Sequence, residues 1–313
     1  MSHTRKVRAV ALRTVFALTS LIASVAHAST APDPRQDPQT RLRTTVDNAA
    51  IKAVPASFAF VDKDALVIGM TPAFLPLNTY AADAKTLVGV DPDLAQLVAD
   101  GLGRKLKIVP LAWEDWPLAL ASGKVDAVLS NVTVTEQRKD KFDFSTYRRD
   151  VVGFYVPKKS TIQAIREPKD VAGLRVITDS GTNQEKILLE WNKQNIAHGL
   201  KPVQIVYFDD EAVRDVALQS GRADAILSVN AGLAYEAALK NDLREVGTIS
   251  GGWPLTADVA ITTRKGSGLA APITLLLNDL IQDGKYPQVL ARWNLSAEAI
   301  TQSQTNPPGL PRD

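Results

Sequence analysis

The side chains in this chain best suited to chemistry are hydrogen-bond donors rather than nucleophiles. Two short runs concentrate them. Ser130-Asn131-Val132-Thr133-Val134-Thr135-Glu136-Gln137-Arg138 offers hydroxyls, an amide and then an arginine. Ser180-Gly181-Thr182-Asn183-Gln184 offers hydroxyls and amides around a glycine. Glycine lets the backbone turn tightly, and free N–H groups at a helix start attract an anion. Arginine adds a planar fork that matches a carboxylate. Such a set could grip a small anionic group without making or breaking a bond.

Covalent chemistry is poorly supplied. Cysteine is absent, which excludes disulfides, thiol catalysis, cysteine-type zinc sites and a lipid-modified cysteine anchor. Of three histidines, His3 and His27 fall in an N-terminal segment treated below, which leaves His198. Asn195-Ile196-Ala197-His198-Gly199 reads as a helix end, where the partial charge of a histidine suits the dipole. Neither a Ser-His-Asp triad nor a histidine-rich metal site is expected, and no cofactor is.

The donor runs are placed by a joint that the chain uses twice. Leu120-Ala121-Ser122-Gly123-Lys124-Val125-Asp126-Ala127-Val128-Leu129-Ser130 recurs 98 residues on as Leu218-Gln219-Ser220-Gly221-Arg222-Ala223-Asp224-Ala225-Ile226-Leu227-Ser228. Each copy reads as a helix end, a glycine stop, a basic residue and a short strand leading to a polar tip. So long a spacing suits no solenoid and implies two lobes of similar construction. Strand and helix alternate around the first copy: a strand at 65–69, a helix at 91–102, a strand at 106–110, a helix at 113–122 and a strand at 125–129. Leu94, Leu97, Val98 and Leu102 share one face of the 91–102 helix. Thr135 reads as the N-cap of a further helix. In the second lobe, a strand at 174–178 leads through the Gly181 turn into a helix carrying Ile187, Leu188 and Trp191. The alternation predicts α/β layering with largely parallel sheets, which bind ligands beyond the carboxyl ends of their strands.

The start of the chain has the layout of a secretory signal. Arg5, Lys6, Arg8 and Arg13 precede an apolar stretch at 15–25 and a small-residue site, Ala26-His27-Ala28. Cleavage after Ala28 leaves 285 of 313 residues and moves the net charge from +2 to −2, so no nucleic-acid partner is inferred. No later apolar run approaches the ~18 residues that span a bilayer. Residues 29–57 hold four prolines and read as a flexible N-terminal arm with a short helix between 41 and 53.

In order and spacing, the landmarks resemble the periplasmic solute-binding proteins of polar amino-acid ABC importers, the family 3 solute-binding proteins. The resemblance runs from about Leu66 to Leu295. It rests on Gly89-Val90-Asp91-Pro92-Asp93-Leu94, the first joint, Thr133-Val134-Thr135-Glu136-Gln137-Arg138 and Phe142-Asp143-Phe144-Ser145. Gly181-Thr182-Asn183-Gln184, Asp283-Gly284-Lys285-Tyr286 and Arg292-Trp293 complete it. It implies a two-lobed, type II periplasmic-binding-protein fold, each lobe a mainly parallel sheet flanked by helices, with the ligand cleft between lobes that close about a hinge. Lobe one would be 58–155 plus 259–305, lobe two 156–258, and 306–313 a tail.

By that resemblance, Arg138 grips the ligand carboxylate, with Ser130, Asn131 and Thr133 beside it and Thr182, Asn183 and Gln184 reaching in from lobe two. Phe74 and Trp113 supply apolar walls, whereas Trp116 packs beneath the lobe. Val229 and Asn230 stand at the second tip, and Val229 occupies the place of the family's acidic partner for a ligand ammonium. Thr71-Pro72 likewise replaces an Asp-Pro. A buried ammonium without a carboxylate is costly. Either another acid serves, with Asp179 and Glu114 as candidates, or the ligand has no α-amino group. The implied protein is a monomeric periplasmic receptor for a small anionic or zwitterionic solute, without a membrane anchor, that serves a membrane ABC permease. A dehydratase-like enzyme on the same fold and an input to a membrane sensor are the alternatives.

Overall fold

The computed structural model describes Met1, residues 37–208 and residues 210–312; the expected signal segment lies outside them. The first part of the chain forms α1 (Asn48–Ala53), β1 (Ala65–Met70), β2 (Thr79–Tyr80), β3 (Leu87–Val88) and α2 (Val90–Gly101). There follow β4 (Lys105–Pro110), α3 (Trp116–Ala121), β5 (Ala127–Val128) and β6 (Phe142–Arg149). The second part contributes β7 (Val151–Pro157), β8 (Arg175–Ile177), α4 (Asn183–Ala197), β9 (Gln204–Val206), α5 (Glu211–Gln219), β10 (Ala225–Val229), α6 (Asn230–Lys240) and β11 (Leu243–Ser250). The chain then returns with β12 (Asp258–Arg264), α7 (Ala270–Gln282) and α8 (Lys285–Arg292).

Two five-stranded sheets result, ordered β4-β1-β5-β12-β6 and β11-β7-β10-β8-β9, and each is the centre of one lobe. Each sheet is mixed rather than mainly parallel, with parallel pairs at β4-β1-β5 and β10-β8-β9. The remaining pairs are antiparallel, because β12 and β7 enter their sheets against the strands that they join. β7 pairs along its whole length in the second sheet, so the chain passes between sheets at Asp150 rather than near residue 155.

Strand periodicity explains why each sheet is covered on both faces. In β1, Leu66 and Ile68 point into one core with Leu94 and Leu97 of α2, while Val67 points into another with Trp116 and Leu120. In β10, Leu227 packs with Leu188 and Trp191, and Ile226 packs with Leu218 and Leu233. Gly89 opens α2 at φ +139°, where a Cβ would lie 2.1 Å from the Leu77 carbonyl oxygen, so only glycine fits.

The two joints share their hydrogen bonds. Ser122 and Ser220 cap α3 and α5, and their hydroxyls donate to Ala119 and Ala217, both at 3.3 Å. Gly123 and Gly221 follow at φ +78° and +74°. Asp126 then accepts from the Val67 N–H, and Asp224 from the Arg175 N–H, each at 2.8 Å. In both lobes the aspartate therefore ties its strand to the parallel neighbour.

Several local expectations change. The 113–122 helix is a 3₁₀ turn at Trp113–Asp115 followed by α3. The helix expected after Thr135 is one 3₁₀ turn, Arg138–Asp140, although Thr135 Oγ1 does accept from the Arg138 N–H at 3.0 Å. The helix of the N-terminal arm shortens to α1, whose N-cap Asp47 accepts from Ala49 and Ala50. That arm is also docked rather than loose from Arg41 onward. Arg41 pairs with the buried Asp93 at 3.2 Å, Arg43 pairs with Asp100 at 2.6 Å, and Ala50 is fully buried. His198 is an exposed C-cap whose ring nitrogen lies 2.7 Å from the Gln194 carbonyl.

Candidate functional site

A cavity of about 530 Å³ lies between the lobes, where the strand tips of both sheets converge. It gathers Phe74, Trp113, Ser130, Asn131, Thr133 and Arg138 from lobe one and Thr182, Asn183, Gln184 and Val229 from lobe two. Asn230 is not brought to it. At the first residue of α6 its side chain turns back to β7, where Asn230 Oδ1 lies 3.1 Å from the Tyr155 hydroxyl.

Arg138 is the centre of the lobe-one wall. One guanidinium N–H donates to the Thr133 carbonyl at 2.9 Å, and the group lies 5.7 Å from the ring of Trp113 and 5.9 Å from that of Trp116. The aromatic faces favour the cation. Among the described residues no carboxylate stands within ion-pair distance of it. Burial pushes its pKa down to about 10, with the charge of Asp150 opposing, so it remains cationic at neutral pH.

Asp150 is the acid that a survey of the strand tips passes over. It sits where β6 hands over to β7, is 3 % exposed and lines the cavity. Its Oδ2 accepts from the Thr133 hydroxyl at 2.8 Å, while Oδ1 has no hydrogen-bond partner among the described residues. Burial raises its carboxyl pKa; the Thr133 bond, the charge of Arg148, the Asn131 side chain and the charge of Arg138 pull the other way. Thr133 thus bonds Arg138 through its carbonyl and Asp150 through its hydroxyl.

The remaining groups divide into supports and open positions. Ser130 Oγ accepts from the Thr71 N–H at 2.7 Å, and Asn131, left-handed at φ +53°, accepts from Arg148. Arg148 is itself fully buried and paired with Glu298. Thr182 is used as the N-cap of α4, donating to the Asp179 carbonyl at 2.6 Å. In contrast, Thr71, Asn78, Thr178 and Asn183 line the cavity, and each also holds a buried side-chain polar atom without a hydrogen-bond partner among the described residues. Glu114 and Asp179 also line it and keep part of their surface open, although the cleft walls draw water from the Asp179 carboxyl. Burial followed by the charge of Glu114 raises the pKa of Asp179, and Arg214 opposes.

Phe74 spans the lobes. A Cβ placed on Gly232 of α6 would lie 1.8 Å from its ring, so the aromatic edge rests directly on the helix backbone. Trp116 packs beneath the lobe against Phe142, at 4.9 Å between ring centroids. Among the described residues no His/Cys/Asp/Glu group could hold a metal ion, and no helix is long and apolar enough to cross a membrane.

Residues 66–296 match the model of the bacterial extracellular solute-binding proteins, family 3. The chain belongs to this family. As a family 3 protein it is 32% identical over 167 residues to the L-cystine-binding protein TcyJ of Escherichia coli, a match covering 53% of this chain and 59% of that one. The chain thus spans less than two thirds of that relative. It is 27% identical over 241 residues to the ABC transporter glutamine-binding protein GlnH of Bacillus subtilis, covering 75% and 83%. Among solved structures, an ancestral arginine-binding protein bound to arginine is 28% identical, with a TM-score of 0.65, covering 74% of this chain and 98% of that one. These relatives are named as binding proteins, and the shared two-lobed architecture is that of type II periplasmic binding proteins.

Proposed function

We propose that this family 3 protein is an exported, periplasmic receptor that captures a small α-amino acid between its lobes and delivers it to an ABC-type importer. The carrying observation is the pair that Thr133 holds together, both of them lining the cavity: an arginine without an ion pair among the described residues and a buried aspartate. An α-amino acid bears its carboxylate and ammonium on one carbon, so it needs opposite charges in adjacent positions. Arg138 suits the carboxylate and Asp150 the ammonium, which compensates for the apolar Val229. Phe74 and Trp113 then face the side chain, and Asn183 and Gln184 complete the grip from α4. Closure follows from the ligand's differential affinity for the closed arrangement. Binding alone accounts for these groups. The basic start and small-residue site at Ala26-His27-Ala28 support export, and the relatives' names support the importer as partner.

Thermal unfolding of residues 29–313 tests the reading against L-arginine, L-glutamine and L-cystine, each beside its analogue lacking the amino group and its analogue lacking the carboxylate. A ligand at 100 times its Kd adds ~2.7 kcal/mol, which at roughly 2–4 °C per kcal/mol is a shift of several degrees. At least one amino acid should give that shift and both of its analogues should not. Equal shifts from an amino-free acid would remove Asp150 from the site, and no shift from any amino acid would count against the substrate class.

A further inference from the structure

The C-terminal residues lie beyond the segment that the family model matches, which stops at residue 296, yet they are bound tightly to the binding wall. The segment 132–136 is gripped from two sides, like an inner strand. On one side Thr133 bridges Val259 of β12, and the Val134 N–H donates to the Asp258 carbonyl at 3.0 Å. On the other, Thr135 bridges Leu310 in parallel: the Leu310 N–H donates to the Val134 carbonyl at 3.0 Å, and the Glu136 N–H donates to the Leu310 carbonyl at 2.8 Å. The Gly309 N–H donates to the Glu136 carboxylate at 2.7 Å. Lys139 donates to the Pro307 carbonyl at 3.0 Å, and Arg312 forks onto both oxygens of Asp140 at 2.7 and 2.6 Å.

These contacts bracket Arg138 on both sides in sequence and touch none of its own groups. We infer that residues 307–312 are a strap that positions the segment 133–140, and through it the guanidinium of Arg138, for ligand binding. Leu310 also wedges against the return crossing, where a Cβ on Gly252 would lie 2.4 Å from its Cδ2. The strap therefore fixes the wall relative to the point at which the chain re-enters lobe one. Because a fork that grips a carboxylate is sensitive to orientation, loosening its base weakens binding without removing any ligand contact. The binding half of this inference rests on the receptor reading above; the positional half does not.

Two variants separate the halves. One lacks residues 308–313 and keeps Asn306, which bonds to Phe144. The other is full-length Gly309→Val, whose Cβ would meet the Thr135 and Glu136 backbone at 2.8–2.9 Å. Amide exchange is followed at Arg138 and Lys139, whose acceptors on Thr135 remain in both variants, with Val176 of β8 as reference. Exchange at 138 and 139 should accelerate while Val176 keeps its protection. Affinity for whichever of L-arginine, L-glutamine and L-cystine binds the full chain should fall about tenfold, the loss of one charge-assisted bond. In an Arg138→Lys background, where the fork is already gone, the same truncation should weaken binding no further. Unchanged exchange at 138 and 139 overturns the strap, and so does faster exchange with unchanged affinity. An equal loss in the Arg138→Lys background would reduce it to general scaffolding. If no amino acid binds the full chain, the receptor reading fails, while the exchange data still decide whether the strap holds the wall.

Discussion

In lobe one, the strand leaving the joint ends at Val128, and the chain then runs through Ser130, a left-handed Asn131 and Thr133 to Arg138 before returning as β6. In lobe two, the strand leaving the same joint ends at Val229 and turns at once into α6, and presents Val229 and the backbone of Gly232. The capping serine, the left-handed glycine and the strand-tying aspartate are shared. What differs is the length and chemistry of the chain beyond the strand. Lobe one supplies the charges, Arg138 and Asp150, above a buried ionic floor of Asp91, Arg148 and Glu298. Lobe two supplies neutral donors from α4 and an apolar seat for Phe74. One backbone device thus leads to two different surfaces, one charged and one neutral, and the division follows from the residues after the joint.

If lobe one is held by its ionic floor, removing one partner there should have the largest effect on stability. Glu298→Ala leaves Arg148 buried without its partner and should destabilise by ~3–5 kcal/mol in urea unfolding. A loss of a few tenths would mean that the floor is not structural. Next comes the division of labour itself. Arg138→Met should weaken amino-acid binding by about 3 kcal/mol or more in calorimetry, the loss of a bidentate charge-assisted grip. It should leave the ligand-free melting temperature unchanged or higher, because burial disfavours this cation. A lower melting temperature would make Arg138 a structural residue.

In lobe two the effect should be smaller and confined to closure. Gly232→Val drives a side chain into Phe74 and should weaken binding by about 1–3 kcal/mol, in the range of overpacking, with the ligand-free melting temperature retained. Phe74→Leu in the same chain should recover part of the affinity; if neither substitution alters binding, the Phe74 seat is no part of closure.

The smallest effect concerns pH. Burial is the main cause that lifts Asp91 to about 6, against the pull of Arg148, Asn78 and Tyr147. Its pKa is thus higher folded than unfolded. Between about pH 6 and the unfolded carboxylate value near 4, the folded chain binds the extra proton. The stability contributed by this group therefore rises as pH falls through that window. Melting curves of the native chain and of Asp91→Asn should draw apart in favour of the native chain from pH 7 to pH 5. Parallel curves would assign the trend to other carboxylates.

What could be read from the sequence was what local pattern encodes. The glycine-stopped joint repeats in eleven contiguous residues, and its strand periodicity predicts two lobes and a cleft between their tips. Asp150 escapes a reading of the sequence because the Thr133 hydroxyl and the passage from β6 to β7 place it, and no spacing along the chain relates them. Asn230 was misplaced because a strand-to-helix junction rotates successive side chains apart, and Tyr155 captures this one. The arm at 41–54 and the strap at 307–312 look loose by composition. Arg41 finds Asp93, and Arg312 finds Asp140, only after the chain has folded back over 52 and 172 residues respectively.

The strand order of the first sheet has a consequence in time. β12 sits between β5 and β6, so that sheet cannot close until residues 258–264 are available, about 110 residues after β6. The second sheet draws all its strands from the continuous stretch 151–250. Nearer partners meet sooner on average. In refolding followed by pulsed amide labelling, protection should therefore reach β7, β8 and β10 before β6 and β12. The half of the molecule that begins later in the chain would then be the first to finish, and the half that carries the charges would be completed around it.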